Sequence, residues 1–174
     1  MIVRAFVIEA NLIITEPTSN PFSALNRSID FSAITPYQLA YSINELAANN
    51  PPVKKIIVGG ASISDSLREM IKKLHVPVYE TYGMTETASM LTTRKLRRGD
   101  DNPRQVGSPL RGVELRVVDA EGQPTTGQGV IQVRSASVHG GGTRRGGRWF
   151  STGDRGQLDS AGRLTLLGRA DSML

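Results

Sequence analysis

Cysteine is absent from the 174-residue chain, which excludes disulfides, a thiolate metal site and a thiol nucleophile. A reducing cytoplasm is the default setting for such a chain. Histidine occurs only at His75 and His139. No Ser–His–Asp arrangement is evident, and His75 reads as an ordinary residue near a helix end. Aromatics make up only 5% of the chain, so few large side chains can anchor a core or stack bases. No apolar run approaches the ~20 residues that cross a bilayer. The opening stretch, residues 1–8, is apolar but short, and without a basic leader or small-residue cleavage site it argues against a signal peptide.

What remains is a basic α/β composition. The formal charge is +5, much of it in two clusters: Arg94, Lys95, Arg97 and Arg98, then Arg144, Arg145 and Arg148. They read as solvated loops or as attractors of polyanions, either nucleic acid or the phosphates of ATP and coenzyme A. Neither cluster is interleaved with aromatics, which sets nucleic acid aside.

Residues 1–9 suit a strand or the end of a helix; Asn11, fit for a left-handed residue beyond a helix end, favours the helix, followed by a strand at residues 12–15. Residues 16–30, with prolines, asparagines and serines, read as loop. Thr35-Pro36 fits an N-cap and first helical position. Leu39, Ile43 and Leu46 repeat at helical spacing up to Asn49-Asn50-Pro51-Pro52. A strand over 54–58, a helix over 64–74 and a strand over 76–82 form a unit typical of a parallel sheet. Beyond Val106 the texture changes to short strands at 113–118, 130–134, 156–158 and 164–167, separated by turn pairs. The Gly/Arg-rich run 139–147 reads as a loop. The fold class expected is α/β: a parallel α/β layer over 1–105, incomplete at its N-terminus, and a β-rich, distorted barrel-like subdomain over 106–168.

Five stretches carry candidate chemistry. Tyr82-Gly83-Met84-Thr85-Glu86 offers an aromatic ring at a strand end, a glycine for close backbone approach, a hydroxyl and a carboxylate. These are parts for stacking a base, touching phosphate and holding Mg²⁺. They equally suit a helix N-terminus capped by Thr85. In Trp149-Phe150-Ser151-Thr152-Gly153-Asp154, an aspartate after a glycine in a tight turn can grip a ribose diol, though Thr-Gly-Asp is also plain turn chemistry. Gly168-Arg169-Ala170-Asp171 places an arginine where it can meet ribose or phosphate oxygens, or simply end a strand. Gly59-Gly60-Ala61 can admit a ligand to bare backbone or make a tight turn. Val106-Gly107-Ser108-Pro109 can line a pocket or link the two textures.

In this order and spacing the five stretches resemble the adenylate-forming superfamily of acyl- and aryl-CoA synthetases, luciferases and peptide-synthetase adenylation domains. Residues 14–17, 19–21, 31–39, 82–86 and 166–174 are similar to the o-succinylbenzoate–CoA ligase branch of menaquinone synthesis, and other aryl-CoA ligases share most of these residues. The resemblance implies an internal portion of the large N-terminal domain of such an enzyme. Residues 169–174 would begin the hinge to a C-terminal domain, and Asp171 would be the hinge residue. The superfamily's Ser/Thr/Gly-rich phosphate loop with its lysine has no counterpart in this sequence, so the chain alone is expected to be inactive.

For the whole enzyme, the resemblance implies ATP, Mg²⁺ and coenzyme A acting on a small, aromatic carboxylic acid, in the cytoplasm. It implies neither nucleic acid nor a membrane and leaves a homodimer open. The acid would attack the α-phosphorus of ATP with loss of pyrophosphate, and the thiol of coenzyme A would then displace AMP. Gly59, Gly60 and Ala61 would flank adenine and the acyl group. Tyr82 would pack on adenine, within a nucleotide site that also takes in Gly83 and Met84. Thr85 would reach phosphate and Glu86 would hold Mg²⁺, these two being the catalytic pair. Asp154 would grip the ribose diol and Arg169 support it. A non-catalytic nucleotide-binding module is the alternative from another class.

Overall fold

The computed structural model describes residues 2–97, 99, 102–138 and 147–171. Arg98, Arg144, Arg145, His139, nearly all of the 139–147 run and the last three residues lie outside the described residues. The chain forms two compact units, one ending at Val78 and the other beginning at Tyr79. The expected change of texture near Val106 lies within the second.

The first unit opens with α1 (Ile2–Val7). Glu9, not Asn11, carries the left-handed conformation, at φ 54°. The strand expected over 12–15 does not form: Leu12, Ile13 and Ile14 are exposed, and an extended segment with no partner strand gains nothing from its β-propensity. β1 (Ser32–Ile34) pairs in parallel with β2 (Ile56–Val58). Thr35 caps α2 (Pro36–Tyr41) with a reciprocal bond pair to Gln38. The single helix expected here is broken at Ser42, whose hydroxyl lies 2.8 Å from the Gln38 carbonyl and 3.0 Å from Asn20 Oδ1. Such back-bonding bends helices, and α3 (Ile43–Ala47) continues separately. α4 (Asp65–Ile71) starts at Ser64, which accepts from the Leu67 N–H. Leu39, Leu46, Val53, Ile56, Val58, Leu67 and Ile71 form the buried side of this unit.

The second unit is an antiparallel sheet with the strand order β3-β4-β5-β9-β8-β7-β6. Its strands are β3 (Val78–Met84), β4 (Ser89–Lys95), β5 (Gln105–Pro109), β6 (Val113–Val118), β7 (Gly129–Ser135), β8 (Phe150–Leu158) and β9 (Leu164–Arg169). Tyr82, Leu91, Val106, Ile131, Val133, Val138 and Leu164 form its core. Ile131 and Val133 alternate with partly exposed neighbours along β7, the pattern of a strand with one dry face. Val106-Gly107-Ser108-Pro109, read as a pocket lining or a linker, is instead nearly all of β5.

Candidate functional site

Asp154 lies within a strand rather than in the tight turn expected of it. Between the pairs Val130↔Arg155 and Gln132↔Ser151, Ile131 alone faces Thr152, Gly153 and Asp154. The surplus residues bulge out of the ladder, and Gly153 takes the positive φ of 73° that the bulge demands. Thr152, 5% exposed, pins the distortion. Its hydroxyl donates to the Ile131 carbonyl at 3.0 Å and accepts from the Asp154 N–H at 3.1 Å. The Gly153 carbonyl accepts from Ala170 N–H at 2.8 Å, tying the bulge to the end of β9.

That geometry brings three expected site residues together. The Tyr82 hydroxyl donates to Asp154 Oδ2 at 2.7 Å across 72 residues of sequence. Arg169, the cross-strand partner of Asp154, approaches Oδ1 at 3.3 Å and donates to the Thr152 carbonyl at 3.3 Å. The same guanidinium reaches Asp171 at 3.3 and 3.4 Å. Arg169 thus bridges the ribose-grip candidate and the hinge candidate. Asp171 first, then Asp154, holds its guanidinium firmly protonated. Burial, reinforced by the bond to Asp154, pushes the Tyr82 phenol well above its ordinary value, so the hydroxyl stays a donor.

The side chain of Asp154 is 16% exposed. An ionised carboxylate has about four acceptor positions, and two partners leave capacity for a vicinal diol. Tyr82 occupies a different place from that expected: mid-strand, 9% exposed and packed in the core. Its ring therefore leaves little surface for a ligand.

Past Gly83 the chain leaves β3 through a single 3₁₀ turn, Thr85–Thr87, and enters β4 directly. The helix start expected at Thr85 is replaced by this turn. Thr85 and Glu86 are both exposed at the tip of this turn. Gly83 answers to a close approach, but by the chain itself: a Cβ at this position would lie 1.6 Å from the Ser89 carbonyl oxygen. Among the described residues no cluster of three or more His, Asp or Glu side chains gathers to hold a metal. A lone carboxylate at an exposed tip suits Mg²⁺, which takes one or two protein carboxylates and completes its shell with water and substrate phosphate.

Gly59, Gly60 and Ala61 follow β2 in the first unit, where Gly60 adopts φ 88° with open space around it. Arg94 departs from the solvated-loop reading. It sits on β4 opposite Glu80, and their side chains form an ion pair at 3.1 Å with only 9% and 7% exposure. Sequence reasoning missed Thr152 and Thr87 as parts of the site. Both are buried threonines beside an acidic candidate, a signal open to inspection but ambiguous without the fold.

The AMP-binding enzyme family pattern matches residues 10–141. The 2-succinylbenzoate–CoA ligase of Lactococcus lactis subsp. lactis (strain IL1403) is 33% identical over 148 residues, covering 84% of this chain and 32% of the relative. That of Salmonella typhimurium (strain LT2) is 36% identical over 138 residues, covering 74% and 27%. The structure of o-succinylbenzoate coenzyme A synthetase from Bacillus subtilis with ATP and magnesium ion superposes with a TM-score of 0.72 at 26% identity, covering 84% of this chain and 33% of that one. The chain spans about a third of the length of these relatives.

Proposed function

The chain belongs to the AMP-binding enzyme family, and from that premise we propose that it supplies the adenosine-gripping part of an ATP-dependent carboxylate–CoA ligase, with o-succinylbenzoate as the acid. The observation that carries this reading is the meeting of Tyr82, Asp154 and Arg169 at the Thr152–Asp154 bulge. The relatives named for o-succinylbenzoate support the choice of acid.

In this reading Asp154 accepts both hydroxyls of the ribose diol. The Tyr82 hydroxyl holds the carboxylate in place, and the ring gives adenine an edge contact. Arg169 offers its outward N–H groups to ribose or phosphate oxygens. Thr85 donates to phosphate, and Glu86 is the carboxylate of the Mg²⁺ shell. Bound there, Mg²⁺ neutralises charge on the phosphates. A carboxylate oxygen of the acid forms a bond to the α-phosphorus as the bond to pyrophosphate breaks. The coenzyme A sulfur then bonds to the acyl carbon as the bond to AMP breaks. Positioning and electrostatics dominate, since no covalent intermediate on the protein is needed. Asp171 is the pivot of the domain rotation that separates the two half-reactions.

Titration of the chain with AMP and with a non-hydrolysable acyl-adenylate mimic tests the reading. Binding of both is expected, tighter for the mimic and abolished by Asp154→Ala. An Asp154-independent signal, or equal affinity for AMP and mimic, overturns the ligase reading in favour of a simple nucleotide module. ATP–pyrophosphate exchange by this chain above background would overturn the expectation that it is inactive alone.

A further inference from the structure

The 3₁₀ turn that carries Thr85 and Glu86 is built against backbone preference. Ala88 and Ser89 follow it with φ of 51° and 105°, a region that side chains beyond glycine rarely adopt. The Ser89 carbonyl is driven over Gly83, into the space a Cβ would fill. One side chain ties both ends of this detour. Thr87 is 0% exposed. Its Oγ1 accepts from the Met84 N–H at 3.2 Å and lies 3.0 Å from the Met84 carbonyl and 3.2 Å from the Ser89 carbonyl. Its single hydroxyl proton serves those two acceptors, so the start and the end of the tip meet on one oxygen.

We propose that Thr87 is the positioning residue for the phosphate and Mg²⁺ contacts: its buried hydroxyl, joining Met84 to Ser89, holds the turn in the shape that presents Thr85 and Glu86 together. Being buried, Thr87 touches no ligand, and it acts through the two exposed residues before it. Without the hydroxyl the strained Ala88-Ser89 pair relaxes, and the two functional side chains lose their fixed relation while the sheet beneath remains. The inference rests on the reading of Thr85 and Glu86 given above.

The test uses Thr87→Val, which keeps the branched shape and removes the hydroxyl, and Thr87→Ser, which restores it. Affinities for AMP and for ATP are measured with and without Mg²⁺. Thr87→Val should reduce the Mg²⁺-dependent gain in ATP affinity by roughly tenfold, the lower end of what loss of an outer-shell partner costs a metal site. AMP affinity should change by no more than about twofold, since the Asp154 bulge is untouched. Thr87→Ser should recover most of the gain. Amide exchange at Met84 and Ala88 should quicken in the valine variant and slow again in the serine variant. An unchanged Mg²⁺ gain in Thr87→Val, where Glu86→Gln abolishes it, overturns the proposal. So does an equal loss of AMP and Mg²⁺–ATP affinity, which marks a merely structural residue. If the unsubstituted chain shows no Mg²⁺ gain, or Glu86→Gln leaves it intact, the assignment of Glu86 itself fails and the role of Thr87 falls with it.

Discussion

Tyr82 joins two demands in one side chain: its ring belongs to the core of the second unit, and its hydroxyl anchors Asp154. Tyr82→Phe keeps the first and deletes the second. A hydrogen bond to a charged group contributes about 1.5–3 kcal/mol, so a loss near the lower end, about 1.5 kcal/mol, is expected in urea denaturation at neutral pH. The pH dependence has a definite sign. Burial and the Asp154 bond raise the phenol above its ordinary 10.0 in the fold. The neutral form is therefore favoured in the folded state, and this contribution is fully present below pH 10.0 and lost as pH rises beyond it. The stability gap between the unsubstituted chain and Tyr82→Phe should narrow above that pH. A gap that is constant from neutral to strongly alkaline conditions would show that the phenol titrates alike in both states.

At the scale of elements, the β3–β4 hairpin combines a bulge with a buried ion pair. The register slips between Tyr82 and Gly83, leaving Leu91 unpaired opposite and 0% exposed. Gly83→Ala places a methyl against the Ser89 backbone, which cannot swing aside as a side chain would. A destabilisation of about 3 kcal/mol, the upper range for overpacking, is expected from the shift in urea midpoint. Next along β3, Glu80 faces Arg94. Glu80→Ala leaves a guanidinium buried without its counter-charge and should cost about 3–5 kcal/mol, whereas replacing both residues by methionine should recover most of that. If the double variant is no better than the single, the pair is not the source of the loss.

These elements also mark where sequence stops being sufficient. β6 was readable because Val113–Val118 alternates apolar and charged residues before a Val-Val end and is closed by turn residues, and the Thr35-Pro36 helix start because capping is local. β4 and β5 were not, since Thr92, Thr93, Arg94 and the Gly-Ser-Pro of β5 look polar and loop-like. Their pairing depends on partners far along the chain. The motif residues were found by pattern. The bulge that aims Asp154 and the ring burial of Tyr82 are tertiary facts that no local rule contains.

For the whole molecule, the charge of +5 invites comparison of two ligand classes. Among the described residues several arginines are committed to ion pairs within the fold. Arg94 pairs with Glu80, Arg134 with Glu114, Arg163 with Asp159, and Arg169 with Asp154 and Asp171. Arg116 and Arg134 each lie over the Trp149 ring, at 4.3 and 4.6 Å from its centre. Charge consumed in pairs releases few counterions when a polyanion arrives, so heparin or single-stranded DNA should bind weakly, with a shallow slope of log affinity against log salt. A discrete adenosine site behaves differently. At a concentration about a hundredfold above its dissociation constant, AMP should stabilise the fold by about 2.7 kcal/mol through mass action. For a chain of this size that is a rise of roughly 5–10 °C in Tm by differential scanning calorimetry. The rise should persist at high salt and vanish in Asp154→Ala. A polyanion that matches the AMP shift, loses it steeply with salt and ignores Asp154→Ala would move the binding surface from the bulge to the basic loops.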